Sequence, residues 1–335
     1  MTSLLELKER LMRFYGKNEA YVLPGIKFIL AAATFLMINL NIGYMTKLAG
    51  IPVALVLALL CAVLPVNAII LFAAVLILAH LYALSLEVCA VGLMIIVIVG
   101  LVYFRFAPRD GYYTVLTPIT FTLHIPYIMP VTAGLLRKPI SMVSVISGTV
   151  FFYFLSGVKN NATLLSGGEE GDTATSTMIV ALNQLIGNKE MYLVLATFIL
   201  MTVVVYVVRR LSIDHAWTIA IVAGVLSEFT ILLSGFLLLG INGKIIWLII
   251  GNAVAIVIAL IQQFIFFNLD YTRTERVQFE DDEYYYYVKA VPKIYMAVKE
   301  KQVKKIAGKE DAREKERISR KALAQEMDID EELLK

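Results

Sequence analysis

The sequence predicts an all-α polytopic membrane protein. About eight transmembrane helices are expected, with one proline-broken segment that enters the membrane and returns, and a charged cytoplasmic tail. Three observations predict this. Apolar residues make up 59% of the 335 residues and mean hydropathy is +0.76, against about 45–50% apolar in soluble chains. Stretches such as Val88–Phe104 and Met191–Val208 carry no charge and are close to the ~18 apolar residues that can span a bilayer. Between Arg105/Arg109 and Arg137/Lys138, the apolar run Gly111–Leu136 is interrupted by Pro118, Pro126 and Pro130.

Three regions follow in order: residues 1–22, 23–268 and 269–335. The first, TSLLELKERLMRFYGKN, reads as an amphipathic helix. Ser3 can cap it with Glu6 at capping-box spacing. Leu4, Leu7, Leu11 and Phe14 share one face, and Lys8, Arg10 and Arg13 lie largely on the rest. Such a helix suits the cytoplasmic interface or serves as a plain solvated arm. It is too charged for the apolar core of a signal peptide.

The first span is expected over Pro24–Met45. The apolar block Ile51–Leu84 is too long for one helix across a core of about 30 Å, and Pro65-Val66-Asn67 offers a turn near its middle. Leu86–Phe104 follows, then the broken segment, then Ile140–Val158 and a polar loop, Lys159–Lys189. Glu190–Val208, Ala216–Leu239 and Ile245–Phe267 complete the membrane region.

Positive loops stay in the cytoplasm. Lys8, Arg10, Arg13, Lys17 and Lys27 place the N-terminus inside; Arg105/Arg109, Arg137/Lys138 and Arg209/Arg210 mark inside loops. The loop with Glu169, Glu170 and Asp172 belongs outside, and so would the Asn161-Ala-Thr163 sequon. With a turn at Pro65 and a re-entrant Gly111–Leu136, the spans alternate through eight crossings and both termini are cytoplasmic. The expected location is the plasma membrane. A fully crossing Gly111–Leu136 keeps the count only if the Pro65 turn is abandoned, which exposes Arg105 and Arg109. Arg105–Val115 and Arg210–Ile219 echo one another in arginine, aspartate, aromatic and threonine. That echo reads as a repeated helical unit or as the ordinary make-up of a cytoplasmic loop.

In the tail, the residues around Asp281-Asp282 can form a short β-hairpin, with Val277 and Phe279 opposite the tyrosine run. Lys299–Lys335 reads as a charged helix or partly disordered chain, whose basic part, Lys299–Lys309, can meet anionic lipid. The stretch Val277-Gln-Phe-Glu-Asp-Asp-Glu-Tyr-Tyr-Tyr-Tyr-Val-Lys-Ala-Val-Pro-Lys293 resembles the end of an uncharacterised family of bacterial, permease-like polytopic membrane proteins. The resemblance covers this segment only. It implies a bacterial plasma membrane and no site residue.

Glu228 lies deep in its span. A carboxyl there serves as a proton acceptor, a cation ligand or an ion-pair partner, or it is a protonated structural group. His124 sits at the centre of the broken segment, where it either handles protons or packs. Thr117, Thr120, Thr122 and Thr132 can satisfy the carbonyls freed by Pro118, Pro126 and Pro130, or line a polar path. His80 and Glu87 fall near helix ends, and His215 stands beside Asp214. Asn39, Asn41, Asn67 and Asn252 suit hydrogen bonds between helices. Gly251/Ala255/Ala259 and Ala216/Ala220/Gly224 form small-residue stripes expected to face each other. Cys61 and Cys89 read as buried thiols.

No phosphate-binding loop ends in lysine–serine, and no HExxH, GxSxG or cysteine–histidine metal spacing occurs. Neither a cofactor nor a metal is expected, and no enzymatic activity. The expectation is a permease-like subunit or small-solute transporter whose path involves His124, the threonines, the three prolines and Glu228. Its partners would be the lipid bilayer, a separate cytoplasmic ATPase or other soluble subunit, and further copies of the chain in a homo-oligomer. Nucleic acid is not among them. The alternatives are a non-transporting membrane scaffold that recruits cytoplasmic partners, and an intramembrane enzyme built on a His124–Glu228 pair.

Overall fold

A computed structural model describes residues 2–166, 174–267 and 274–292. Met1–Ile294 is one compact unit, and the second, Tyr295–Lys335, lies wholly outside the described residues. The expected charged helix and its basic stretch, and the loop acids Glu169, Glu170 and Asp172, also fall outside them.

The chain runs through α1 (Thr2–Ile42), α2 (Ile51–Val63), α3 (Val66–Leu84), α4 (Leu86–Phe106), α5 (Gly111–Thr122), α6 (Ile128–Leu136), α7 (Met142–Asn160), α8 (Ala162–Leu165), α9 (Ala174–Ile186), α10 (Lys189–Arg209), α11 (Ala216–Leu238) and α12 (Ile245–Phe266). Among the described residues, seven helices are long and apolar enough to cross a membrane; Ile51–Val63 is apolar but shorter.

The amphipathic segment and the first span meet at a kink where Asn18 leaves helical backbone (φ −118°, ψ 22°), not before Pro24. The Asn18 amide donates to the Phe14 carbonyl at 3.0 Å, the acceptor its own N–H would use in an unbroken helix. Pro65 caps α3 and turns the chain. Asn39 Nδ2 bonds the Leu48 carbonyl at 3.1 Å and Lys27 Nζ bonds that of Leu64 at 3.0 Å, so α2 runs antiparallel to α1. Lys27 thereby places a cation at the negative end of α2.

Two sets of tertiary bonds mark opposite ends of the bundle. At the arginine end, Asn67 Nδ2 reaches the Pro108 carbonyl (2.9 Å) and Tyr103 Oη donates to Asn67 Oδ1 (2.8 Å). Arg209 Nη2 holds the Arg137 carbonyl at 2.7 Å, and Gln263 Nε2 donates to Thr218 Oγ1 at 2.9 Å. Lys8 Nζ bonds the Phe264 carbonyl at 2.9 Å. At the far end, Lys159 Nζ donates to Asn41 Oδ1 at 2.8 Å. There Glu190 takes bonds from Tyr153 Oη (2.8 Å) and Lys244 Nζ (2.6 Å).

His80 also sits toward the far end but is fully buried, unlike an interfacial or capping residue. The Met45 N–H donates to its Nδ1 at 3.1 Å, so Nε2 carries the ring proton and gives it to Asn39 Oδ1 at 3.0 Å.

The apolar core divides accordingly. One cluster gathers α1–α4 with Val115 of α5, Phe154 and Val158 of α7, Leu165 of α8 and Ala181 of α9; two others gather α6 with α10–α12, and α7 joins these too through Val145 and Tyr153. The broken segment therefore lies at the junction of two halves. The small-residue stripes do not face each other at their glycines. A Cβ on Gly251 would meet the Tyr127 ring at 2.5 Å and the His124 carbonyl at 3.0 Å, while Gly224 abuts Val205 of α10.

β1 (Glu275–Glu280) and β2 (Tyr285–Ala290) pair antiparallel, with Val277 opposite Val288 and Phe279 opposite Tyr286. Asp281 Oδ1 accepts the Glu283 and Tyr284 N–H groups at 3.0 and 2.7 Å, which holds the turn. Lys289 Nζ lies 2.5 Å from Asp214 Oδ1 and ties the strands to the α10–α11 link.

Candidate functional site

The proline-broken segment folds as two short helices, α5 and α6, joined at residues 123–127. At 1.5 Å per residue they measure about 18 and 13 Å, each short of the ~30 Å hydrocarbon core. They run back on each other. Asp110, before α5, and Arg137, after α6, form an ion pair at 3.0 Å. Arg137 Nη2 also approaches the Arg109 carbonyl at 3.4 Å. Burial pushes the Asp110 carboxyl above its ordinary range, and the Arg137 guanidinium pulls it back. Arg209 secures the returning strand of the clasp through the Leu135 and Arg137 carbonyls.

Close approaches at glycine seat the two helices. A Cβ on Gly148 of α7 would lie 2.8 Å from the Thr114 carbonyl and 2.7 Å from Thr117 Cβ. Gly134 of α6 meets Val205 and the Thr202 carbonyl of α10 in the same way, at 2.7 and 2.9 Å. At the tip, His124 adopts a left-handed backbone (φ 61°), which lets the chain leave α5 sharply. Its ring is exposed and stacks on Trp247 with centroids 4.4 Å apart.

The threonines satisfy backbone. Thr117 and Thr120 are buried and donate to the Tyr113 and Thr117 carbonyls (2.6 and 2.8 Å); Thr122, exposed, donates to that of Pro118 (3.1 Å). Thr132 does the same to Met129 at 3.0 Å. Proline removes amide donors from this segment, but the hydroxyls do not replace them: they bond the Tyr113, Thr117, Pro118 and Met129 carbonyls, not the Thr114 carbonyl four residues before Pro118. Pro126 is buried in the turn, and its carbonyl caps the start of α6 through the Met129 N–H. Pro130 sits in the first turn of α6, where a missing N–H costs little.

One side of this hairpin borders a cavity of about 570 Å³ lined by α1, α3, α4, α5 and α7. Pro118, Thr122 and His124 open onto it; Thr117, Thr120, Pro126, Pro130 and Glu228 do not. The sequence reading missed Lys159 and Ser156, which also line it; Asn41, expected to bond between helices, lines it too and accepts from Lys159. Lys159 carried the one usable signal, a cation at the end of a predicted span.

Glu228 lies on α11 at zero exposure, and among the described residues neither carboxyl oxygen has a hydrogen-bond partner; Asn252 Oδ1 on α12 is likewise buried and unpartnered among them. Tyr127, just past the tip, comes within Coulombic reach of both Glu228 and Glu190. His124 and Glu228 thus do not share the cavity. Among the described residues, no three His, Cys, Asp or Glu side chains are grouped to hold a metal ion. Compared with known protein families, curated proteins and solved structures, the chain matches none.

Proposed function

We propose that the chain is a permease-like membrane subunit or a small-solute transporter in which Gly111–Leu136 is a re-entrant hairpin. One observation carries this reading. The Asp110–Arg137 contact closes the segment at the arginine end while His124, at its tip, opens onto the cavity. Irregular backbone survives at membrane depth only when packed or lining a cavity, and broken helices at a junction of two halves are a common transporter device. The reversal at Pro65 supports α2 as a short eighth crossing. The arginine end then faces the cytoplasm of a bacterial plasma membrane, with both termini on that side. Chemistry on the substrate is no part of this reading. ATP-driven transport would require a separate ATPase, and ion-driven transport would use Glu228.

A second reading, a scaffold for soluble partners, is favoured by the two-stranded sheet, whose tyrosines Tyr284, Tyr285 and Tyr287 are exposed. Affinity purification separates the two: an associated ATPase supports the permease, and envelope or division machinery supports the scaffold. The hairpin is tested by single cysteines at Arg109, His124 and Lys138 on a background lacking Cys61 and Cys89. An impermeant reagent should reach positions 109 and 138 from the cytoplasmic face only. Labelling of those two from opposite faces would overturn the proposal.

A further inference from the structure

The cavity beside the hairpin is graded from polar to apolar along its length. At the far end stand Asn41, Ser156, Lys159 and Asn160, with Thr122 and His124 from the hairpin tip. Toward the arginine end the wall is Ile70, Ile96, Val99 and Val115. The polar groups that fall in this part are mostly turned away. Thr34 and Ser147 donate to the Leu30 and Val143 carbonyls, each at 2.7 Å, and Tyr103 Oη donates to Asn67. Thr114 Oγ1 is the exception, without a partner among the described residues. A polar solute in that part would lose hydration with little in return. An alkyl chain loses nothing there.

The mouth carries the opposite chemistry. Lys159 Nζ rests on the neutral Asn41 amide at 2.8 Å, and no carboxylate pairs with it among the described residues. Among the described residues, its charge meets no anion. From Ser147 to Lys159, α7 rises about 18 Å, more than half of the ~30 Å hydrocarbon core. The volume lies inside the ~300–1,000 Å³ typical of ligand pockets.

We infer that this cavity binds a phospholipid of the surrounding bilayer, with an acyl chain along the apolar wall and an anionic headgroup at Lys159. Binding rests on the cavity alone. That the lipid is also the transported substrate rests on the function proposed above. In that case the solute is an amphiphile, not a sugar or amino acid.

The test is made on the full chain in nanodiscs of mixed phosphatidylglycerol and phosphatidylcholine, with bound lipid identified by native mass spectrometry. The wild-type protein should retain phosphatidylglycerol over phosphatidylcholine by about fivefold, the preference expected of one partly exposed charge pair. Lys159→Gln keeps a hydrogen-bonding group near Asn41 and should abolish the preference. Gly100 lines the cavity and has open space around its Cβ position. Gly100→Phe should therefore fold normally, fill the cavity and lose either lipid. Equal retention of both lipids by the wild type, undiminished retention in Gly100→Phe, or capture of free fatty acid instead of phospholipid would each overturn the inference. No transport is measured, so a failed uptake or labelling experiment leaves the lipid result standing.

Discussion

Asp110 and Arg137 meet at 3.0 Å across the base of a hairpin whose tip is His124. The two partners are unequal. The Asp110 side chain is 11% exposed and that of Arg137 47%. Burial dominates the Asp110 shift, upward from an ordinary value of 3.8. The fold therefore binds the Asp110 proton more tightly than the unfolded chain does. Its contribution is fully present below pH 3.8 and is lost as pH rises through the raised value. Arg137 limits that loss.

Arg137→Gln should therefore destabilise more than Asp110→Asn, by about 1–3 kcal/mol, because it strands a desolvated carboxylate. Asp110→Asn placed on top of Arg137→Gln should recover most of the loss. Thermal unfolding of the four proteins in detergent from pH 4 to 8 tests this. Arg137→Gln should fall further behind as pH rises, and the double variant should show no such trend.

Gly148→Ala should cost about 1–3 kcal/mol, since the added methyl meets the Thr114 backbone at 2.8 Å and overpacking strains both helices. Gly134→Ala should behave similarly against Thr202 and Val205. Gly16→Ala provides the control, in a helix with nothing within 4 Å of the added atom. There the gain in helix propensity should stabilise by up to ~1 kcal/mol. Equal melting temperatures across the three variants would show that α5 and α6 are not seated as described.

His80→Ala should cost about 2 kcal/mol or more, because it leaves Asn39 Oδ1 without a donor and the Met45 N–H without an acceptor. Glutamine offers one donor and one acceptor, so His80→Gln should restore part of the loss. Chemical denaturation in detergent measures both.

The long apolar helices were legible because hydrocarbon leaves a backbone only its own partners, and the reversal at Pro65 because proline cannot continue α2. The threonines were legible in kind. Their hydroxyls do bond backbone, but at the Tyr113, Thr117, Pro118 and Met129 carbonyls and not at those the prolines free. The cavity was not legible. Ile70 and Leu71 are the same chemistry whether they meet a core, a cavity or lipid, and only the arrangement of helices from α1 to α7 brings them beside Lys159. The stripes share a buried cluster through Ala220 and Ala259 but part at their glycines, for a related reason. Periodicity assigns Gly251 to a face of α12 but does not say that Tyr127 covers it. The Asp110–Arg137 clasp joins two residues that each had a local explanation, one within the Arg105–Val115 echo and one as part of a positive loop, so neither announced the other.

Glu228→Gln removes no hydrogen bond among the described residues, since both carboxyl oxygens lack partners there. Its stability should stay within about 1 kcal/mol of the wild type. If Glu228 couples transport to an ion, the same variant should lose pH- or cation-dependent flux in proteoliposomes. Intact flux would remove Glu228 from the mechanism, and a large loss of stability would assign it a structural partner.

The Lys289–Asp214 contact predicts a salt- and pH-sensitive position for the two-stranded sheet. The hydrogen bond and charge of Lys289 hold the exposed Asp214 carboxyl below its ordinary value of 3.8. Its contribution is therefore present above that value and is lost as pH falls through the lowered one. Salt should weaken it too, because screening at about 1 M acts within ~3 Å. Spin labels at Ile213 and Tyr287 should give a narrow distance distribution at neutral pH and low salt. That distribution should broaden at 1 M salt, at pH below the ordinary carboxylate range, or in Lys289→Ala. A distribution unchanged in Lys289→Ala would mean that other contacts hold the strands against the α10–α11 link, with Asp214 a bystander.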